Sequence, residues 1–141
     1  MLPSISGEFG VVADPEIRFS EKGSAWLKIR GIAKDRVRDA NGTWSDGDPV
    51  FIDIIINAGA ENLYDSIAKG DSIIVGGKLK QRTYEVNGDK RTDFQIRAES
   101  VGVSTRWTSA KTPKALEGGG SIDTAKDALG AVEIEQTEAP F

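Results

Sequence analysis

The stretch that most limits the possible folds is residues 76–98, GGKLKQRTYEVNGDKRTDFQIRA. Asn87-Gly88 stands between two alternating runs, and this dipeptide accepts the successive positive φ angles of a two-residue hairpin turn. With that loop fixed, the pairing follows by counting. Val86 faces Asp89, Tyr84 faces Arg91, Arg82 faces Asp93, Lys80 faces Gln95 and Lys78 faces Arg97. Strand side chains alternate, so one face carries Lys78, Lys80, Arg82, Tyr84, Arg91 and Arg97 with a single acid, Asp93. The other face carries Leu79, Phe94 and Ile96 and continues back through Ile73 and Val75, which is a core side. A cationic strip bearing a ring suits a polyanion that carries flat bases. A merely solvated face is the plainer alternative, but such faces usually mix signs.

Overall charge at first argues against that partner, because the 141-residue chain has a formal net charge of −4. The acids are unevenly placed. Residues 1–108 hold 15 Lys and Arg against 16 Asp and Glu, whereas residues 109–141 hold 3 against 6. A nearly neutral domain still attracts phosphate when its cations gather on one face. The absence of Cys and His removes disulfides, thiolate chemistry, cysteine zinc sites and the commonest general base. No catalytic residue, metal or cofactor is expected. Neither a membrane-length apolar run nor a cleavable signal is evident, so a cytoplasmic chain is expected.

Residues 4–13 alternate with Ile5, Phe9 and Val11 on one side and read as a first strand, ended by Asp14-Pro15; residues 19–23 read as a turn. Residues 25–33 form a second strand. Leu27 and Ile29 face the core; Trp26, Lys28 and Arg30 share the other face, where an indole can stack a base while the cations hold phosphates. Packing of Trp26 at a subunit contact or barrel rim is the alternative. Arg36 and Arg38, with Lys34, extend the basic track or lie in a solvated loop. Residues 39–49 are turn chemistry throughout, with Trp44 in their midst, free to meet a ligand or to fold back on the domain. In residues 50–56, Ile52, Ile54 and Ile56 face the core, and Phe51 and Asp53 the other side, which makes Phe51 a further stacking platform. Residues 60–69 change period: Leu63 and Ile67 lie four apart, and Gly70 stands where a helix would end. Three strands, a short helix and two strands is the order of an all-β, five-stranded OB-fold barrel, which uses strands 2 and 3 and the loops joining strands 1–2 and 4–5 to hold oligonucleotides.

Residues 1–108 therefore read as the OB-fold domain and 109–132 as a disordered, Gly-rich linker. Residues 133–141 read as an acidic tip, EIEQTEAPF, that either frays or docks on a partner.

The pieces DPEIRFSEKG (14–23), NGTWSDGDPVFID (41–53), AENLYDSIAKGD (60–71), GGKLKQRTYEVNGDKRTDFQIRAESVG (76–102) and TRWTSAK (105–111) together resemble the bacterial and phage single-stranded DNA-binding proteins, those of actinobacteria and their phages most of all. The resemblance implies a homo-oligomer, typically a tetramer and otherwise a dimer, that wraps single-stranded DNA in replication, recombination and repair in the bacterial cell. It also implies a tip (Glu133, Glu135, Glu138, Pro140, Phe141) that recruits replication and repair proteins. It places Phe51 and Tyr84 where that family has base-stacking aromatics, and Lys78, Lys80 and Arg82 in its DNA-binding fourth strand. The chain departs from the family in three respects, one of them a short linker. Val37 and Arg38 stand where an aromatic is common, and the tip acids are spaced rather than clustered. An RNA-binding OB-fold and a primosome-type interaction scaffold are the competing readings. A nuclease built on Asp46, Asp48 and Asp53 is the weakest, because the first two sit in a turn with no second-strand carboxylates to join them.

Overall fold

A computed structural model describes residues 1–118. Two compact units divide the chain, Met1–Thr108 and a second from Ser109. In the first, the elements in chain order are β1 (Ser4–Val11), β2 (Glu16–Phe19), β3 (Ala25–Ala33), β4 (Arg36–Arg38), β5 (Trp44–Asp46), β6 (Val50–Ile56), α1 (Ala60–Ser66), β7 (Ser72–Val86) and β8 (Asp89–Val103). In the second, α2 (Pro113–Gly118) is a short helix inside the segment expected to be a linker. Thr112 caps it, its Oγ1 accepting from the Ala115 amide at 3.2 Å. Residues 119–132 of the expected linker and the whole acidic tip lie outside the described residues.

The strands pair in the order β1-β7-β8-β6-β3-β2, and a further β1–β3 pairing closes the five strands β1, β7, β8, β6 and β3 into a ring. All these pairings are antiparallel except β6 with β8. This is the closed OB-type barrel, with β2 added on the outside of β3. Alternation fills it: Phe9, Val11, Leu27, Ile29, Ile52, Ile54, Ile56, Ile73, Val75 and Ile96 are buried. Leu27, Ile29, Ile54, Ile73 and Ile96 are fully buried, each contributing about 1.5–3 kcal/mol by leaving water. α1 seals the barrel with Ala60, Leu63 and Ile67.

The hairpin has the register counted from its turn, with Asn87 at φ 53° and Gly88 at φ 85°. One irregularity breaks it. Gly76 pairs with Ser100 and Gly77 with Ala98, so Glu99 is an extra residue in β8. This bulge switches the inward positions from even (Ile96, Ala98) to odd (Val101, Val103), both sets packing on the core. It also presses the chains together: a Cβ on Gly77 would overlap the Arg97 carbonyl oxygen and stand 2.8 Å from Ala98 Cα.

Four expectations need correction. Phe94, expected in the core, is 54% exposed, because the hairpin runs past the barrel and its outer half has no layer packed beneath it among the described residues. Residues 16–19, which run from the expected strand end into the expected turn at Phe19, form β2; only Ser20 to Gly23 turn, with the Gly23 amide on the Ser20 carbonyl at 2.8 Å. Residues 39–49 are not loop throughout. The Asp39 carboxylate accepts from the amides of Asn41 and Thr43, each at 2.9 Å, and this turn lets β4 pair with β5 as a separate two-stranded ribbon. Finally, α1 ends at Ser66, with Ile67 already extended; Gly70 (φ 96°) serves the next turn, its amide bonding the Val11 carbonyl at 2.8 Å.

Candidate nucleic-acid interface

The outward residues of β3, β6, β8 and β7 lie side by side because these strands are consecutive in the ring. Trp26 and Lys28 on β3, Asp53 on β6, Arg97 on β8, and Lys80 and Arg82 on β7 line one groove. Four cations and an indole thus meet, although Trp26 and Arg97 lie 71 positions apart in the chain. Glu16 and Arg18 of β2 form its far wall, with Arg18 facing Trp26 across the pairing. Ile55, Asn57 and Gln95 complete it. Sequence reading missed these five. The Glu-Ile-Arg-Phe alternation was a usable sign for β2, but the flanking turn residues masked it.

The cations differ in how they are held. Arg30 donates to Asp53 Oδ1 at 3.0 Å, and Lys28 Nζ stands 4.0 Å from Oδ2. Arg82 Nε lies 3.7 Å from Asp93, across the strand pair. Lys78 Nζ donates to Ser4 Oγ at 2.7 Å, at the junction with β1 rather than in the groove. Among the described residues, Lys80, Arg91 and Arg97 form no ion pair, so their charge is available to a ligand.

Beyond the groove the rings carry guanidinium groups. Arg30 lies 5.6 Å from the centroid of Phe51, and Arg82 lies 5.0 Å from that of Tyr84. Such contacts are worth about 0.5–1 kcal/mol at exposed sites and keep both partners in place. Phe51 and Tyr84 are therefore oriented, with Phe51 49% exposed. Arg91 faces Tyr84 across the hairpin.

The ribbon forms a separate group. Arg36, Arg38, Trp44 and Asp46 share one face, since Arg36 pairs with Asp46 and Arg38 with Trp44. Arg38 lies 5.9 Å from the indole centroid, yet Trp44 remains 55% exposed. Lys34 Nζ donates to Asp46 at 2.9 Å, and this bond and charge, helped by Arg36, hold the Asp46 carboxyl below the usual carboxylate range. The ribbon leaves the barrel where Ala33 pairs with Val50, next to Phe51. Among the described residues no group of three or more acids is placed to hold a metal ion, and Asp46, Asp48 and Asp53 do not converge. No described helix is long and apolar enough to cross a membrane.

A closed five-stranded barrel with a groove of cations and rings across β3, β6, β8 and β7 defines an oligonucleotide-binding type of protein. Residues 7–104 match the model of the single-strand binding protein family, and the chain belongs to that family. It is 37% identical over 113 residues to the single-stranded DNA-binding protein of Mycobacterium leprae, covering 78% of this chain and 67% of that one. To the single-stranded DNA-binding protein of Corynebacterium glutamicum it is 38% identical over 115 residues, 79% of this chain but only 51% of the relative. Among solved structures it is similar to the small single-stranded DNA-binding protein of Streptomyces coelicolor, with a TM-score of 0.65 and 28% identity over 74% of this chain and 96% of that one.

Proposed function

We propose that the groove binds single-stranded DNA across many sequences, protecting it during replication, recombination and repair. The observation that carries this reading is the convergence of Trp26, Lys28, Lys80, Arg82 and Arg97 from three strands on one groove of a barrel whose family is named for single-strand binding. Phosphates exchange condensed counterions for Lys and Arg, with a slope of log K on log salt near −0.7 per phosphate neutralised on single strands. Bases stack on Trp26, Phe51 and Tyr84 for about 1–3 kcal/mol each. Trp44, with Arg36 and Arg38, adds a platform on the ribbon. A duplex hides its base faces, so the groove selects single strands. The process makes and breaks no covalent bond, and the protein acts as a binder rather than an enzyme.

Self-association is part of the proposal. β1 pairs with β7 along Ser4 to Gly10 but with β3 only at Gly10 and Val11. Among the described residues its other edge is open, which suits strand addition from a second copy and assembly to a dimer or tetramer. The tip Glu133, Glu135, Glu138, Pro140 and Phe141 is proposed to recruit replication and repair proteins, on the strength of its spaced acids before Pro-Phe.

The test is a titration with a mixed-sequence single strand, followed by tryptophan fluorescence at low and high salt, with a duplex and an RNA of the same sequence alongside. Quenching by the DNA single strand that weakens with salt, and little response to duplex, is expected. Preference for the RNA would move the function to RNA. Absence of binding at either salt would leave an interaction scaffold.

A further inference from the structure

The outward face of the sheet is not evenly charged. On its β2, β3 and β6 side, Arg18, Lys28 and Arg30 stand with two acids, Glu16 and Asp53. On the β7–β8 hairpin the five cations counted from the turn stand with Asp93 alone. Asp53 makes the difference. It lies in the middle of β6, its side chain only 13% exposed, with Arg30 Nη1 donating to Oδ1 at 3.0 Å and Lys28 Nζ 4.0 Å from Oδ2. One carboxylate therefore holds both outward cations of β3. The register sets the other half of the groove apart. Gln95 stands between Asp53 and Lys80 in one cross-strand row, and Ile55 stands between Lys28 and Arg97 in the next. Among the described residues Lys80 and Arg97 form no ion pair.

Two rings belong to the half that Asp53 serves. Trp26 lines the groove from β3, and Phe51 lies on β6 with the Arg30 guanidinium 5.6 Å from its centroid. The bond that neutralises Arg30 also fixes it beside that ring. A phosphate approaching Lys28 or Arg30 comes alongside a carboxylate largely withdrawn from water, where like charges are poorly screened. One approaching Lys80 or Arg97 meets a cation with no acid on it. We propose that Asp53 is a positioning residue that divides the groove between two tasks. It withholds Lys28 and Arg30 from phosphate and leaves the β3–β6 half, with Trp26 and Phe51, to the bases, while Lys80 and Arg97 on the β7–β8 half neutralise phosphate. This division rests on the groove being the single-strand site.

The test is fluorescence anisotropy with a labelled mixed-sequence DNA single strand, repeated over a range of salt to give the slope of log K on log salt. Lys80→Gln is expected to reduce the slope by about 0.7, one phosphate contact, and Lys28→Gln by less than half as much. Asp53→Asn keeps the shape of the side chain and removes its charge. Its slope is expected to steepen by about 0.7, as a released cation takes up a phosphate. In that background Lys28→Gln should reduce the slope as much as Lys80→Gln does, a coupling that a purely structural role for Asp53 would not produce. In the otherwise unaltered protein, a reduction by Lys28→Gln of at least half that by Lys80→Gln overturns the proposal. So does a slope that fails to steepen in folded Asp53→Asn. The lysine comparison needs no change at Asp53, so misfolding of that variant leaves the test intact. Failure of the unaltered protein to bind the strand overturns the reading of the groove itself.

Discussion

Two antiparallel ribbons extend the barrel, and each presents an arginine on an aromatic ring. The β7–β8 hairpin sets Arg82 over Tyr84 and the β4–β5 ribbon sets Arg38 over Trp44. They differ in what holds them. The first is the outer half of two 15-residue strands whose inner halves are barrel wall, so its register is inherited from the core. The second has three residue pairs and rests on one Asp39 turn and one exposed Lys34–Asp46 bond. The same ring-and-cation chemistry is thus built into a stiff wall in one place and onto a lightly held arm in the other. The groove beside the wall should therefore set affinity, and the arm should adjust it.

The most damaging change should strike the root of the stiff ribbon. Gly77→Ala drives a Cβ into the Arg97 carbonyl, and backbone cannot move aside as a side chain can. A loss of about 3 kcal/mol in chemical denaturation is expected. A loss below about 1 kcal/mol, the lower edge of overpacking costs, would mean the bulge is pliable and the two ribbons are alike.

In the groove, Trp26→Ala should cost about 1–3 kcal/mol of single-strand affinity, and Arg97→Ala should lower the salt slope by about 0.7. Both should leave thermal stability nearly unchanged, since both side chains lie on the outward face. Trp44→Ala on the arm should cost about 1 kcal/mol or less of affinity, measured in the same titration. A loss equal to that of Trp26→Ala would erase the distinction between wall and arm.

The smallest effect concerns acid. Asp46 has its pKa lowered in the folded protein by Lys34, so its contribution is present above the unfolded value, 3.8, and is lost as pH falls through the lower folded value. Trp44 fluorescence should accordingly change only below that value, while the barrel persists. Asp46→Asn should remove the transition. A transition above pH 3.8 would contradict the ion pair as the arm's fastening.

The contrast also explains what could be read from the sequence. The long hairpin was legible to the residue, because Asn87-Gly88 fixes a turn and alternation does the rest. Alternation assigns a face, however, and does not say what stands beneath it, which is why Phe94 was misplaced. The bulge at Glu99 left a faint sign in the five-residue step from Ile96 to Val101, too short to separate from loop. The arm was illegible for another reason: its strands are three residues long, and the turn that joins them is set by one side chain bonding two amides. Of the groove, the residues on long strands were found. Arg18 and Glu16 were missed because β2 is bracketed by Asp14-Pro15 and a turn, and Asn57 and Gln95 because uncharged amides give no pattern by themselves.

The three tryptophans allow the decisive measurement. Trp26 lines the groove, Trp44 lies on the arm, and Trp107 packs on Arg106, which reaches Glu8 of β1. In the protein labelled with 5-fluorotryptophan, with signals assigned by single Trp→Phe variants, a mixed-sequence DNA single strand is added at moderate salt and fluorine NMR recorded. The expected result is a large shift for Trp26, a smaller one for Trp44 and almost none for Trp107. Binding that moves Trp107 and leaves Trp26 unchanged would place the DNA elsewhere and contradict the groove.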